Sequence, residues 1–490
     1  MAHRFNFLVN WLNNWCYSTI GNYLKLKKRR VLIMKAISTY QNKKVLVLGL
    51  GQSGLNAARL LHKLGAEVTV NDLRAPKNPK IVSELTALGI KVITGSHPLE
   101  LAKQNDLMVK NPGIPYTNPL VKAALKNQLP IITEPELAYE ISTAPMVAIT
   151  GTNGKTTTTT LTTLMLDEQR LKGKAYAAGN IGIPASQVAQ TATKDDVLVT
   201  ELSSFQLLGI SKLHPKIAVI TNIYEAHLDY HGDRNNYVNA KMRITMNQTS
   251  ADYLVINWDS AEWQQLSQRS QAQIVPFSRK QEIRTGAYQK GNYLYFRGER
   301  IIKLADIKLA GVQNIENALA AIAVAKLMGK SNAAICQVLR TFGGVRHRMQ
   351  YVETIKQRRF YNDTEATNIE ACQRALESFQ QPIVLVAGGL DRGFSFESLL
   401  PYFKKLRGLI CMGQTAQAMA EMGKKAGVKQ IEFAKSVVEA VPKAYQQSQP
   451  GDVVLLSPAC ASWDQYPRCE VRGDLFIQAV ANLKKNQEES

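Results

Sequence analysis

A chain of 490 residues is too long for one hydrophobic core and divides into about three domains of ordinary size. With 45% hydrophobic and 20% charged residues it can bury ample apolar surface, which argues against a disordered chain. The net charge of +21 would suit a nucleic acid, but residues 1–33 hold six Lys/Arg and no acid, and the remaining lysines are dispersed among acids, so nucleic acid is not an expected partner. The six cysteines (Cys16, Cys336, Cys372, Cys411, Cys460, Cys469) form no CxxC pair, which argues against a zinc knuckle or a disulfide framework and suits a reducing cytoplasm.

Residues 1–33 form a basic extension containing Trp11 and Trp15. Asn10, Asn13 and Asn14 make it too polar to span a bilayer, and its charges follow the apolar part, the reverse of a cleavable signal. It is expected to be disordered or not native, with Met34 as the start; an interfacial helix is the alternative, and stable membrane insertion is not expected.

The first domain, 34–133, opens on "VLVLGLGQSG", a buried-strand run ending in Gly49, Gly51 and Gly54. These glycines let the backbone turn tightly and approach a pyrophosphate at the N-terminus of a helix beginning near Ser53. "AEVTVND" reads as the next strand, and Asp72 falls about 20 residues after the glycines, where an acid can bind a ribose hydroxyl. This is a Rossmann-like half, which by itself does not choose between NAD and another nucleoside diphosphate.

The second domain, 134–344, carries a second phosphate loop. In "MVAITGTNGKTTTTTLTTLML" a strand runs into Gly151, Thr152, Asn153, Gly154, Lys155, Thr156 and Thr157 and then a helix. Backbone amides at Gly151 and Gly154 can face phosphate oxygens, Lys155 can reach the terminal phosphates, and the Thr156 hydroxyl can bind magnesium. The usual first glycine of a Walker motif is replaced by Ile149. An NAD dehydrogenase has no use for such a loop; a P-loop ATPase domain with a mostly parallel sheet does. ATP chemistry needs acids to hold a metal. Glu201 ends the strand in "LVTELSSFQL", and His227 follows "KIAVITNI". The spacing of His227 and His231 also permits a helical zinc pair, although no HExxH completes it; His231 and Asp229 are expected in the loop's hydrogen-bond network.

The third domain, 345–490, repeats the α/β logic with strands in "PIVLVAGG", "RGLICMG" and "DVVLLSP", giving a second Rossmann-like domain. Thr367, Arg392 and Ser462 lie where such strands end. A guanidinium and two hydroxyls suit an acidic amino acid; helix capping or surface turns are the alternative.

"GTNGKTT", "ELSSFQL", "NIYEAHLDYHG", "YVNAKMRI", "GVQNIENALAA", "HRMQ", "NDTEATN" and "SPACASWDQY" occur in the order seen in the Mur ligases, which the chain resembles from Met34 to its C-terminal region. The last two, with "GLGQSG", resemble the members that join D-glutamate to UDP-N-acetylmuramoyl-L-alanine. The resemblance implies an ATP-dependent, magnesium-dependent ligase of peptidoglycan synthesis, cytoplasmic and monomeric. It implies that Lys155 binds the β and γ phosphates, that Thr156 and Glu201 hold one magnesium and Glu201 with His227 a second, and that Lys241 in "YVNAKMRI" is carried as a carbamate. Asn314 and Asn317 would meet the adenine, although Asn314 is equally suited to cap the following helix; Arg348 and Asp363 would meet the phosphates and ribose. The glycine turn would hold the substrate's uridine diphosphate, with Leu50, Gln52, Ser53, Asp72 and Arg74 as neighbours of the uracil and pyrophosphate, Asn180 in "AGNIGIP" as a contact to the acyl-sugar part, and "KNPGIP" as a rigid loop near the same cleft. Thr367, Arg392 and Ser462 would bind D-glutamate. Glu365 and Cys469 depart from the family pattern, standing where a lysine and an aromatic residue are common. The rival readings are another Mur-type or folylpolyglutamate-type ligase, and a catalytically silent nucleotide-binding regulator.

Overall fold

Alternation along a strand decides which core each residue enters, and here it does so on both faces of the sheets. The computed structural model describes residues 34–488 except 77, 310 and 394, so the expectations for residues 1–33 lie outside the described residues. Contacts within the chain sort it into two units. One holds the described residues up to Ala148 with Leu171–Lys216 and His227–Asn247; the other holds Ile149–Arg170, Ile217–Ala226 and the described residues from Gln248 onward.

In the first unit, β1 (Lys44–Leu48), β2 (Glu67–Asp72), β3 (Lys91–Thr94), β4 (Leu107–Lys110) and β5 (Ile131–Ile132) form a parallel sheet in the order β3-β2-β1-β4-β5. Val45 and Val47 enter one hydrophobic cluster and Leu46 and Leu48 another, so β1 is covered on both sides. Burying each such side chain contributes about 1.5–3 kcal/mol. The order reverses between β1 and β4, and a sheet of this type binds ligands at that switch point. The helix Gln52–Lys63 starts there, directly after the glycine turn. Gly54 lies so close to β1 that a Cβ on it would sit 1.9 Å from the Gly49 carbonyl oxygen, which accounts for the third glycine. β6 (Met146–Thr150) carries the chain out of this unit, and β7 (Ala175–Gly179) pairs in parallel with β8 (Val197–Glu201).

In the second unit, β9 (Ile217–Ile220), β10 (Tyr253–Asn257), β11 (Gln273–Ser278) and β12 (Ala287–Lys290) run parallel, and β13 (Tyr293–Phe296) and β14 (Glu299–Lys303) continue as an antiparallel meander. The helix Lys155–Asp167 packs against the helix Val312–Leu327. The latter is buried from Asn317 to Ala325, because its run of alanines leaves room for close neighbours. The remaining sheet has the order β15-β16-β20-β17-β18-β19, from β15 (Gln350–Ile355), β16 (Arg358–Asn362), β17 (Ile383–Ala387), β18 (Leu406–Met412), β19 (Gln430–Ala434) and β20 (Val453–Leu456). Only β15 is antiparallel to its neighbour. Along β17, Ile383, Leu385 and Ala387 face one cluster while Val384 and Val386 face the other. Among the described residues no helix is long and apolar enough to cross a membrane, and the five described cysteines are free thiols.

Candidate active site

In the second unit the chain leaves β6 through Gly151–Gly154 and enters the helix Lys155–Asp167. Gly154 has φ +80°, and a Cβ there would lie 2.2 Å from Asn317 Oδ1. The segment after β9 holds the loop in shape. Asn222 accepts from the Asn153 amide through Oδ1 (2.9 Å), and Thr221 donates to the Asn153 carbonyl (2.6 Å). The Lys155 ammonium donates to the carbonyls of Gly151 and Thr152, each at 2.9 Å, closing the loop on itself.

This loop borders a cavity of about 490 Å3, to which Asn153, Gly154, Thr156, Thr157, Asn314, Asn317, Arg348 and Asp363 all contribute. Eight of the expected nucleotide residues therefore share one cavity, while Gly151, Thr152 and Lys155 do not line it. Asn314 does not cap its helix: Gly311 holds the cap position, and Asn314 accepts from Asn317 Nδ2 (3.0 Å) one turn further on. Asn222, Tyr224, Arg374 and Glu377 also line the cavity and were missed from sequence. Asn222 follows a buried strand, the same signal that singled out Glu201. Arg374 and Glu377 belong to the helix Ile369–Glu377 and have no local signature.

Asp363 is buried, accepts from the Met349 amide and the Ser457 hydroxyl at 3.0 Å each, and has its carboxyl pushed up to about 7, chiefly by desolvation. An unfolded chain releases that proton near pH 4. Between these values the folded state binds the extra proton, so this group's contribution to stability falls as pH rises through the window. Asp363→Asn carries no such proton. The melting temperature of the variant relative to the native chain is expected to climb from pH 4 to pH 8; a constant difference would refute this assignment.

The acidic-amino-acid candidates follow β16, β17 and β20, which are adjacent and parallel. Ser462 is buried, and its hydroxyl has no hydrogen-bond partner among the described residues. The Arg392 guanidinium lies 5.1 Å over the exposed ring of Trp463. Thr367 does not cap the helix that follows it, since Asn368 does so through Oδ1 (2.8 Å). Cys469 Sγ lies 3.6 Å from carboxylate oxygens of both Glu365 and Glu470, which with burial raises its thiol to about 12. Arg348 pairs with Glu365 at 3.4 Å.

The first unit holds the other candidates. Glu201 ends β8 fully buried; Oε1 accepts from Asn180 Nδ2 at 2.8 Å and Oε2 has no hydrogen-bond partner among the described residues. A buried anionic oxygen left unpaired is costly and fits a cation ligand. His227 adopts a left-handed φ of +57° at the start of the helix Leu228–His231. His231 is engaged with the Ser204 hydroxyl (3.0 Å), in keeping with a hydrogen-bond role; the Asp229 side chain lies outside what is described. Lys241 is buried with Nζ 4.7 Å over the Tyr237 ring. At the switch point, Asp72 accepts from the amides of Leu50 (2.6 Å) and Arg74 (2.9 Å), so its carboxylate braces the glycine turn from within the fold. Gln52 and Ser53 open the helix after that turn.

Comparison with known proteins gives these features a common source. Residues 43–133 match the Mur ligase MurD-like N-terminal domain, 149–325 the Mur ligase middle domain, and 347–460 the Mur ligase glutamate ligase domain. The UDP-N-acetylmuramoylalanine--D-glutamate ligase of Ligilactobacillus salivarius is 63% identical over 457 residues, 93% of this chain and 100% of that protein. Its counterpart in Lactiplantibacillus plantarum is 59% identical over 459 residues, again 93% and 100%. The crystal structure of UDP-N-acetylmuramate-alanine ligase MurC from Thermotoga maritima aligns over 90% of this chain and 100% of its own with a TM-score of 0.56; at 20% identity this is a likeness of fold. Three domain matches in chain order agree with the expected three-domain α/β plan. The chain belongs to the Mur ligase family, on the branch of the UDP-N-acetylmuramoylalanine--D-glutamate ligases.

Proposed function

We infer that the protein is an ATP-dependent carbon–nitrogen ligase that adds D-glutamate to UDP-N-acetylmuramoyl-L-alanine in peptidoglycan precursor synthesis. The observation that carries this reading is the cavity in which the glycine loop, Asn314, Asn317, Arg348 and Asp363 meet, in a chain that matches its relatives along their whole length. The L-alanine carboxylate attacks the γ-phosphorus of ATP, the β–γ bond breaks, and an acyl phosphate forms with ADP released. The D-glutamate amine then adds to the acyl carbon, loses a proton, and the tetrahedral intermediate expels phosphate as the amide forms. Positioning and charge neutralisation supply the catalysis in such transfers.

In this reading residues 34–133 bind the UDP end through Leu50, Gln52, Ser53, Asp72 and Arg74, and Asn180, in the next domain, meets the acyl-sugar part of the substrate. Residues 134–344 bind ATP through Gly151–Thr157, Asn314 and Asn317, and residues 345–490 add Arg348 and Asp363 and hold D-glutamate with Thr367, Arg392 and Ser462. Magnesium, when bound, neutralises phosphate charge; Thr156, Glu201 and His227 are the residues suited to hold it at two positions. The burial of Lys241 supports a carbamate there, because an ammonium beside magnesium is repelled whereas a carbamate offers anionic oxygens. The protein acts as a cytoplasmic monomer.

Phosphate release with ATP, magnesium and UDP-N-acetylmuramoyl-L-alanine tests the reading, with D-glutamate set against L-glutamate, D-aspartate, L-lysine and meso-diaminopimelate. Release with D-glutamate alone is expected. Preference for another amino acid would transfer the chain to another Mur-type ligase, and no release with any would favour a silent regulator.

A further inference from the structure

A buried lysine that the reaction does not use ends β4. Lys110 is 1% exposed, and its ammonium donates to the carbonyls of Ile114 (2.7 Å) and Asn111 (3.2 Å) and to the Tyr230 hydroxyl (3.1 Å). Tyr230 in turn donates to the Ile114 carbonyl (3.0 Å). The two side chains thus pin the loop 111–114, and that loop touches the glycine turn: the Asn111 amide donates to the Leu48 carbonyl (2.8 Å), and a Cβ on Gly49 would lie 2.7 Å from that of Asn111.

Tyr230 faces a second way. Its ring meets Phe205 edge-on at 4.4 Å, and Phe205 meets the His227 ring at 5.0 Å. Tyr237 continues the series, 6.2 Å from His227 and 4.7 Å beneath the Lys241 ammonium. His227 needs such support, because a histidine in the left-handed region is strained and persists only where its surroundings hold it. Tyr230 lies one helical turn beyond it in the same short helix.

We propose that Lys110 and Tyr230 are positioning residues for the ligase reaction: they clamp the loop beside the glycine turn to the turn that carries His227, so the two are held in one geometry. This rests on the reading of His227 as a magnesium ligand. Neither residue touches a reacting group; each acts through hydrogen bonds that a packing residue would not need. Tyr230→Phe keeps the ring contact with Phe205 and removes only the hydroxyl, so it is the discriminating variant, with Lys110→Met as the second and Lys110→Arg as the conservative rescue.

The test uses the full chain with labelled histidine, the His227 ring signal being identified by its loss in His227→Gln. In Tyr230→Phe the His227 signal should move while that of His97 stays, and kcat for phosphate release should fall roughly tenfold, the equivalent of about 1.4 kcal/mol. The KM for ATP should stay within about twofold, and pairing Tyr230→Phe with Lys110→Met should cost little more than either alone, as expected of groups acting as a unit. Lys110→Arg should recover part of the loss. An unmoved signal with unchanged kcat, while His227→Gln is inactive, would overturn the proposal. A moved signal with His227→Gln fully active would instead overturn the catalytic reading beneath it.

Discussion

Glu201→Gln is expected to leave a folded protein that has lost nearly all phosphate release. The substitution preserves shape at the end of β8, and the new amide oxygen can still accept from Asn180, which now bonds Oε1 at 2.8 Å. What disappears is the charge on Oε2, a fully buried oxygen with no hydrogen-bond partner among the described residues. Such an oxygen is tolerated where a cation completes it, and in its place the variant presents an amide that a metal does not prefer. Removing one preorganised charge-stabilising group costs roughly 100- to 1,000-fold in kcat, and the loss here should reach that range with melting temperature little changed. Excess magnesium should recover only part of it. Activity within about tenfold of the native chain would remove Glu201 from the metal site.

What could be read in advance was what depends on neighbours in sequence. The run Val45–Leu48 is apolar at every position, which marks a strand covered on both faces, and its alternate residues do enter opposite cores. The glycine loop before Lys155 was legible for the same reason: a turn of that curvature admits few residue types. Asp72 stood out by its distance from the glycines, but nothing local reveals that its carboxylate also accepts from the Leu50 amide and so braces the glycine turn. The roles of Lys110 and Tyr230 were also hidden, because they arise from a contact across 120 positions of sequence. Arg374 and Glu377 reach the cavity only because their helix packs beside it. In each case the missing information was tertiary.

The two departures from the family pattern show how such context changes a residue's meaning. Glu365 and Cys469 were noted separately from the sequence. In the fold they are neighbours, with Sγ 3.6 Å from the Glu365 carboxylate, while the other oxygen of Glu365 is 3.4 Å from Arg348. The charge that replaces the usual lysine is therefore compensated from within the chain, and the thiol beside it is held protonated by burial and by two carboxylates.

Gly154→Ala isolates the demand that the nucleotide loop places on its backbone. At φ +80° any side chain carries a penalty of about 1–2 kcal/mol, which Gly329, at φ +78° with nothing within 4 Å of an added Cβ, would carry as well. Gly329→Ala is therefore the control for strain alone and should lower the melting temperature without altering the KM for ATP. At Gly154 the methyl group would also sit 2.2 Å from Asn317 Oδ1. Relief requires Asn317 to move, and Asn317 accepts from Thr158 (3.3 Å) and donates to Asn314 (3.0 Å), so the displacement passes to Asn314, which also lines the cavity. The loop amides and the asparagines would then be misplaced together. Base and phosphate contacts each contribute about 1–3 kcal/mol, so losing both should weaken ATP binding by at least roughly 30-fold, measured by calorimetry, with the thermal transition still cooperative. Equal ATP affinity in the two variants would mean that strain, and not the Asn317 contact, governs this loop.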